Sequence, residues 1–117
     1  MARLSTHVLD TMLGRPAAGI SIELHRLTGG SRVPVAAAVT NADGRTDSPL
    51  LSGERLDAGV YELTFRVGDY LRRAAVSLPD PPFLDDVVVR VGIAEPAGNY
   101  HVPLLLSPYG YSVYRGS

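Results

Sequence analysis

The stretch Gly59-Val60-Tyr61-Glu62-Leu63-Thr64-Phe65-Arg66-Val67 decides the fold class of this chain. Its large apolar side chains recur at every second position, which is the period of a β-strand with one buried face. That face carries Tyr61, Leu63, Phe65 and Val67. We therefore predict a β-strand over residues 59–67.

Segments of the same kind lie on both sides of this strand. Alternating or β-branched runs predict further strands at 4–9, 20–27, 33–40, 87–91, 100–106 and 109–114. Turns with glycine separate several of them, including Thr28-Gly29-Gly30-Ser31 and Asn41-Ala42-Asp43-Gly44-Arg45. About seven short strands at this spacing predict an all-β protein, an antiparallel β-sandwich.

The remaining segments are short. Residues 50–58 are predicted to form an irregular connection, and residues 69–75 one short helix that Asp69 caps. The run Pro79-Asp80-Pro81-Pro82 is predicted to be extended and exposed. Pro103 cannot donate a ladder hydrogen bond, so its strand is either an edge strand or bonded on its other side at that point.

Size and composition restrict the class of protein. The chain has 117 residues, the usual size of one domain, and we expect a single domain over 1–117. It has no cysteine, which excludes disulfides, zinc–thiolate sites and thiol nucleophiles. Its 11 basic residues are all arginine and are balanced by 12 acidic ones without a basic stripe, so nucleic acid is not an expected partner.

No apolar run reaches the roughly 18 residues of a membrane span, and the N-terminus lacks a signal-peptide pattern, so we expect a cytoplasmic protein that binds no membrane.

The three histidines are the first candidates for chemistry. His25 lies on the polar face of its predicted strand, where we expect it to be solvated. His7 and His101 lie inside apolar strands, where an imidazole is costly unless it is paired. Each of these two is therefore either a satisfied structural histidine or a functional acid or base. The three lack the close spacing of metal ligands, so no metal site is expected.

Hydroxyl and guanidinium groups are the second set of candidates. No G-x-S-x-G elbow surrounds the candidate nucleophiles Ser107, Ser112 and Ser117. Arg45 and Arg115 are either solvated or able to hold a developing negative charge on a substrate. The last four residues, Tyr114-Arg115-Gly116-Ser117, bring a phenol, a guanidinium, a hydroxyl and the terminal carboxylate together.

Four parts of the chain carry a resemblance to a known family. They are Leu4-Ser5-Thr6-His7-Val8-Leu9-Asp10-Thr11 with Gly14-Arg15-Pro16-Ala17, Thr40-Asn41-Ala42-Asp43-Gly44-Arg45, Tyr100-His101-Val102-Pro103-Leu104-Leu105-Leu106-Ser107-Pro108, and Tyr111-Ser112-Val113-Tyr114-Arg115-Gly116-Ser117. In this order and spacing they resemble the 5-hydroxyisourate hydrolases, a transthyretin-related family. The terminal Tyr-Arg-Gly-Ser is the most specific part, because it separates these enzymes from transthyretin, a hormone carrier of the same fold.

The resemblance implies a fold, an assembly and an activity. The implied fold is a transthyretin-like sandwich of two four-stranded sheets with one short α-helix. The implied assembly is a homotetramer, a dimer of dimers with active sites at the dimer–dimer interface. The implied reaction is the hydrolysis of 5-hydroxyisourate to 2-oxo-4-hydroxy-4-carboxy-5-ureidoimidazoline in urate degradation, without a cofactor. A transthyretin-like carrier without catalysis, or an accessory module of a larger assembly, are the alternatives.

The resemblance also implies roles for individual residues. The family's two histidines fall on His7 and His101, and one of them is expected to take a proton from the attacking water. The family's arginine falls on Arg45, which is expected to bind the substrate carbonyl and stabilise the oxyanion. Ser117 with its carboxylate is expected to orient a histidine. Substrate binding is expected from His7, Arg45, Tyr114 and Arg115.

Overall fold

Nine strands and two short helices make up the regular structure of residues 2–74 and 77–117, which the computed structural model describes. In chain order the strands are β1 (Arg3–Asp10), β2 (Arg15–Pro16), β3 (Ser21–Thr28), β4 (Ser31–Val39), β5 (Leu51–Ser52), β6 (Gly59–Arg66), β7 (Asp86–Ile93), β8 (Asn99–Ser107) and β9 (Gly110–Val113). A 3₁₀ helix covers Gly53–Arg55, and helix α1 covers Val67–Arg73.

The strands form two sheets, which confirms the predicted β-sandwich. The first sheet has the order β2-β1-β8-β9, with β5 also paired to β1, and the second has the order β4-β3-β6-β7. The first sheet has five strands rather than the four that the resemblance implied, because the two-residue strands β2 and β5 both pair with β1. β1 and β8 run parallel, whereas the other strand pairs in the described part of the chain are antiparallel.

The core lies between the two sheets and follows the predicted alternation. Along β6, the inward side chains Tyr61, Leu63 and Phe65 are at most 1% exposed. Leu24 of β3 and Leu104 of β8 are fully buried on the facing sides. Burying an aliphatic or aromatic side chain of this size contributes about 1.5–3 kcal/mol relative to leaving it exposed, so these inner faces hold the sheets together.

One buried polar pair joins the helix to the first sheet. The Tyr70 hydroxyl donates to Asp10 Oδ2 at 2.6 Å, and the backbone N–H of Leu13 donates to Asp10 Oδ1 at 2.9 Å. Burial, the hydrogen bond and the charge of Asp10 raise the pKa of Tyr70 to about 12. The buried carboxylate is thereby satisfied, and it fixes both α1 and the turn that follows β1.

The helix begins earlier than the sequence predicted. It starts at Val67 rather than Asp69, and Asp69 accepts a hydrogen bond from Arg72 Nη1 instead of capping the helix. Gly68 weakens a helix by its intrinsic propensity. It is buried here, and its N–H donates to the Asp85 carbonyl at 2.8 Å, which offsets that weakness. The predicted end at Ala75 lies outside the described residues.

Two proline predictions meet the structure differently. The run over 79–82 was expected to be exposed throughout, but Pro82 is buried, so that part of the prediction is wrong. For Pro103, β8 is a central strand between β1 and β9, and the pairing with β9 begins only at Leu104. The missing N–H of Pro103 therefore leaves the β9 ladder complete.

The outer edges of the two sheets differ. On one side, β2 and β5 have two residues each, and β4 carries Pro34 and a bulge at Val35. On the other side, β7 and β9 contain no proline, and residues from both line one apolar cavity. Prolines, bulges and very short strands block pairing at a sheet edge. Among the strands of the described residues, the β7 and β9 side is therefore the one that is open to another strand.

Candidate active site

The parallel pair β1 and β8 places one histidine beside a serine from the other end of the chain. Ser5 pairs with His101 in register, and Ser5 Oγ lies 2.9 Å from His101 Nδ1. His7 lies two residues further along the same outer face of β1. The predicted need for a hydrogen-bond partner is thus met for His101 by Ser5.

The turn at residues 41–45 brings Arg45 to His7. Asn41 Oδ1 accepts hydrogen bonds from the N–H groups of Asp43 at 2.9 Å and Arg45 at 3.2 Å, which closes the turn as predicted. Gly44 has φ +77°, and its carbonyl oxygen accepts a hydrogen bond from the Val8 N–H at 2.8 Å. A Cβ at Gly44 would lie 2.3 Å from the Val8 carbonyl oxygen, so glycine is required for this close approach.

Hydrogen bonds within this turn orient both functional candidates. The ring Nε2 of His7 donates to the Asp43 carbonyl at 2.8 Å, since a carbonyl can only accept. Arg45 Nε donates to Asp43 Oδ2 at 2.8 Å. His7 and Arg45 also form an isolated antiparallel bridge. Asp43 therefore sets the position of His7 through its backbone and of Arg45 through its carboxylate.

The C-terminal residues return to His101. Gly116 N donates to the His101 carbonyl oxygen at 2.8 Å and forms an isolated bridge with that residue. Arg115 Nη2 donates to the Asn99 carbonyl at 3.1 Å, and its guanidinium lies 4.3 Å from the centre of the Tyr100 ring. The tail is thus ordered by backbone and cation–π contacts along β8.

A cavity of about 270 Å³ opens beside His101. Its walls come from β1, from the segment after the 41–45 turn, from β8 and from the last residue: Arg3, Ser5, Thr6, Arg45, Thr46, Asp47, Ser48, Pro49, Asn99, Tyr100, His101 and Ser117. Two arginines and several hydroxyls are accompanied by two carboxylates, the side chain of Asp47 and the terminal carboxylate of Ser117. The lining therefore suits a small, polar, electron-rich ligand.

Burial and the electrostatics of the cavity keep His101 neutral. Burial lowers the pKa of His101 below its ordinary value of 6.5, and electrostatic interaction with Arg45, His7 and Arg3 lowers it further. At pH 7 its imidazole therefore carries a lone pair that can accept a proton. A neutral imidazole beside an arginine can activate a water molecule while the guanidinium stabilises an oxyanion.

The structure brings some of the predicted site residues together and separates others. Arg45, His101 and Ser117 line the same cavity, and His7 lies next to Arg45 without lining it. Tyr114 and Arg115 line a second, mostly apolar cavity of about 220 Å³ on the other side of His101. The roles of all these residues in catalysis and substrate binding remain predictions.

Several lining residues were not singled out from the sequence. Arg3 lies just before the motif that starts at Leu4, Ser5 lies within that motif but was given no role, and Asn99 precedes the motif that contains His101. The alternation of β1 could have found Ser5, because it puts Ser5 on the same face as His7. Thr46, Asp47 and Ser48 lie in a loop, where the sequence has no periodicity from which the direction of a side chain could be predicted.

Other candidates lie elsewhere. His25 is half-buried on the outer face of the second sheet, with Nδ1 3.4 Å from Arg32 Nη2, so it is less solvated than predicted. Within residues 2–74 and 77–117, no group of three His, Cys, Asp or Glu side chains could hold a metal ion. In the same part of the chain, no helix is both long and apolar enough to cross a membrane.

This fold and site define the class of the protein. The model of the HIUase/Transthyretin family matches residues 4–116, and the chain belongs to that family. Among its curated relatives, 5-hydroxyisourate hydrolase 2 of Rhizobium meliloti (strain 1021) is 59% identical over 115 residues, which cover 98% of this chain and 96% of the relative.

Solved structures show the same sandwich. A crystal structure of (S)-allantoin synthase superposes with a TM-score of 0.93 at 44% identity, covering 98% of this chain and 43% of that one. The 5-hydroxyisourate hydrolase of Klebsiella pneumoniae superposes with a TM-score of 0.83 at 36% identity over the full length of both chains. Transthyretin from Sparus aurata has a TM-score of 0.88 at 27% identity, covering 99% and 97%. The fold is therefore the transthyretin-like β-sandwich that the resemblance implied.

Proposed function

We propose that this chain hydrolyses 5-hydroxyisourate to 2-oxo-4-hydroxy-4-carboxy-5-ureidoimidazoline in urate degradation. Its hydrolase relatives make it an enzyme. The observation that carries the proposal is the polar cavity in which His101, Arg45 and Ser117 meet. A small, oxygen-rich ring compound matches the volume of this cavity and the arginine, hydroxyl and amide donors that line it.

His101 is the general base in this proposal. It lines the cavity, and its lowered pKa leaves it neutral at pH 7. It takes a proton from water as the water oxygen forms a bond to a ring carbonyl carbon of the substrate. The carbon–nitrogen bond of that cyclic amide then breaks, the nitrogen takes up a proton, and the products are a carboxylic acid and a ureido group on one molecule.

Arg45 stabilises the charge that develops during the attack. Its Nε donates to Asp43, so the two terminal nitrogens of the guanidinium remain to bind a ligand in the cavity that Arg45 lines. They bind the carbonyl oxygen as it becomes an oxyanion. His7 lies beside Arg45 and is held by the same residue, Asp43, so it supports the arginine and the rim of the site.

The tail completes the site. Ser117 and its carboxylate line the cavity with His101 and orient the histidine or the attacking water. Tyr114 and Arg115 line the neighbouring cavity. They contact the substrate when the substrate spans both cavities or when a second subunit joins them, and the assembly proposed below allows this contact. A non-catalytic carrier is disfavoured, because a carrier of an apolar ligand has no use for the charged lining of the larger cavity.

A coupled optical assay tests the activity. Urate oxidase generates 5-hydroxyisourate in situ, and its near-ultraviolet decay is followed with and without this protein. We expect the decay to accelerate in proportion to protein concentration. A decay no faster than the spontaneous one would contradict the proposed function.

We further propose a homotetramer, a dimer of dimers with active sites at the dimer–dimer interface. It is supported by the open β7 and β9 edges, since an unpaired strand edge without proline is ready to pair with a second copy. It is also supported by the outer face of the first sheet, which carries the half-buried His7 and His101. A second dimer over that face would enclose the cavity and exclude bulk water.

Light scattering coupled to size exclusion tests the assembly. Four chains of 12.5 kDa should elute with a mass of about 50 kDa. A particle with the mass of one chain at assay concentration would contradict the tetramer. The single domain over 1–117 and the cytoplasmic location remain predictions from the sequence. Fractionation of cells tests the cytoplasmic location.

A further inference from the structure

We propose that Ser5 and Gly116 are positioning residues that hold the imidazole of His101 in one orientation and one tautomer. Ser5 lies at one edge of the ring and Gly116 at the other. This inference rests on the proposed function, because it concerns the histidine assigned as the base. Neither Ser5 nor Gly116 is among the predicted catalytic or substrate-binding residues.

Ser5 binds one of the two ring nitrogens. Its hydroxyl lies 2.9 Å from His101 Nδ1, and strand register places the two residues directly opposite each other across 96 positions of sequence. Because Nδ1 is occupied, Nε2 is the ring nitrogen left for substrate or water. The hydrogen bond also restrains rotation of the ring, whose second dihedral angle is otherwise broad.

The charges around the cavity decide which tautomer the hydrogen bond to Ser5 stabilises, because a hydroxyl can either donate or accept. Arg3 and Arg45 line the cavity that His101 faces. On the ring nitrogen that is not bonded to Ser5, a lone pair is favoured by the positive charge of these two guanidinium groups, whereas an N–H there is repelled. The neutral ring therefore keeps its proton on Nδ1, and Ser5 accepts that hydrogen bond. The hydroxyl proton of Ser5, which also lines the cavity, remains available to a ligand.

Gly116 confines the opposite edge of the ring. A Cβ at this position would lie 2.7 Å from His101 Cδ2 and 3.2 Å from Pro103 Cγ. The backbone of Gly116 lies outside the left-handed region, so alanine can adopt its conformation, and the atoms nearest to the added methyl belong to these two side chains. Because Gly116 N also donates to the His101 carbonyl, the tail cannot move away without losing a hydrogen bond.

The experiment compares three variants with wild type: Ser5→Ala, Ser5→Thr and Gly116→Ala. Nitrogen-15 NMR of the imidazoles reports the tautomer of His101 in the free protein, and the coupled assay reports kcat and KM. In wild type we expect a protonated Nδ1 and an unprotonated Nε2. In Ser5→Ala we expect a mixture of tautomers and a kcat about tenfold to hundredfold lower at an almost unchanged KM.

The other two variants separate positioning from a loss of folding. Ser5→Thr keeps the hydroxyl and should restore both the wild-type tautomer and most of kcat. Gly116→Ala should shift the His101 ring resonances and lower kcat, whereas the matched control Gly92→Ala, where an added Cβ meets nothing within 4 Å, should change neither.

The NMR measurement needs no substrate, so it tests the inference separately from the proposed function. A His101 spectrum in Ser5→Ala identical to that of wild type would overturn the role of Ser5. A proton found on Nε2 in wild type would overturn the tautomer. Wild-type ring resonances and kcat in Gly116→Ala would overturn the role of Gly116.

Discussion

Replacing His101 with alanine should reduce kcat/KM for 5-hydroxyisourate by about 10²- to 10⁴-fold, the usual contribution of a general base. His101 is the histidine that lines the cavity, and its lowered pKa keeps it in the proton-accepting form. Folding should be little affected, because the side chain is half-buried on the outer face of the sheet and its one side-chain hydrogen bond contributes about 1 kcal/mol.

The matched control is His25→Ala. His25 lies on the outer face of the opposite sheet, so its removal should leave the rate unchanged. The two variants are compared in the coupled assay, with urea denaturation as the measure of stability. Near-wild-type turnover in His101→Ala would assign the base to another group, and loss of the folded state would show that His101 is structural.

Replacing Arg45 with glutamine should lower kcat by about 10²- to 10³-fold, as expected for the loss of one oxyanion donor. The same change should alter the pH profile. A neutral base loses activity as the pH falls through its pKa, so the acidic limb of wild type should lie below pH 6.5. Removing the positive charge of Arg45 takes away part of the downward shift, and the limb should move up toward 6.5.

Arg72→Gln is the control for this prediction. Arg72 lies on α1 and pairs with Asp69 at the surface, so its loss changes the net charge equally without touching the cavity. The profiles of kcat/KM against pH are measured for wild type and both variants. An acidic limb that stays in place in Arg45→Gln would show that Arg45 and the titrating base do not interact.

The sandwich could be predicted from sequence because its strands carry a local signal. In β1, β3 and β6, side chains of alternating polarity fall on alternating sides of the sheet. Burial follows that alternation in β1 and in the first half of β3, whereas in β6 the polar Glu62 and Thr64 are buried as well. The start of α1 could not be predicted, since Gly68 lowers helix propensity and its compensation comes from Asp85, a contact distant in sequence. Local patterns fail where a tertiary contact outweighs propensity.

The candidate site could be predicted only in part. The residue types and motifs indicated His7, Arg45, His101 and Ser117, and the family resemblance added their proposed roles. What could not be predicted was the parallel pairing of β1 with β8, which puts Ser5 at His101 Nδ1. Strand partners separated by 96 positions give no signal in either segment alone. The contact of Ser5 with His101 was therefore found in the structure and not in the sequence.

The unequal sheet edges have a consequence for handling the protein in dilute solution. An isolated subunit presents β7, with Val87, Val88, Val89 and Val91 in one strand, next to the unpaired β9. Valine-rich strands with exposed N–H and C=O groups are templates for fibril growth. If subunits associate through this edge as proposed, dilution below the concentration of association should cause aggregation as well as loss of activity, because it exposes the edge strands.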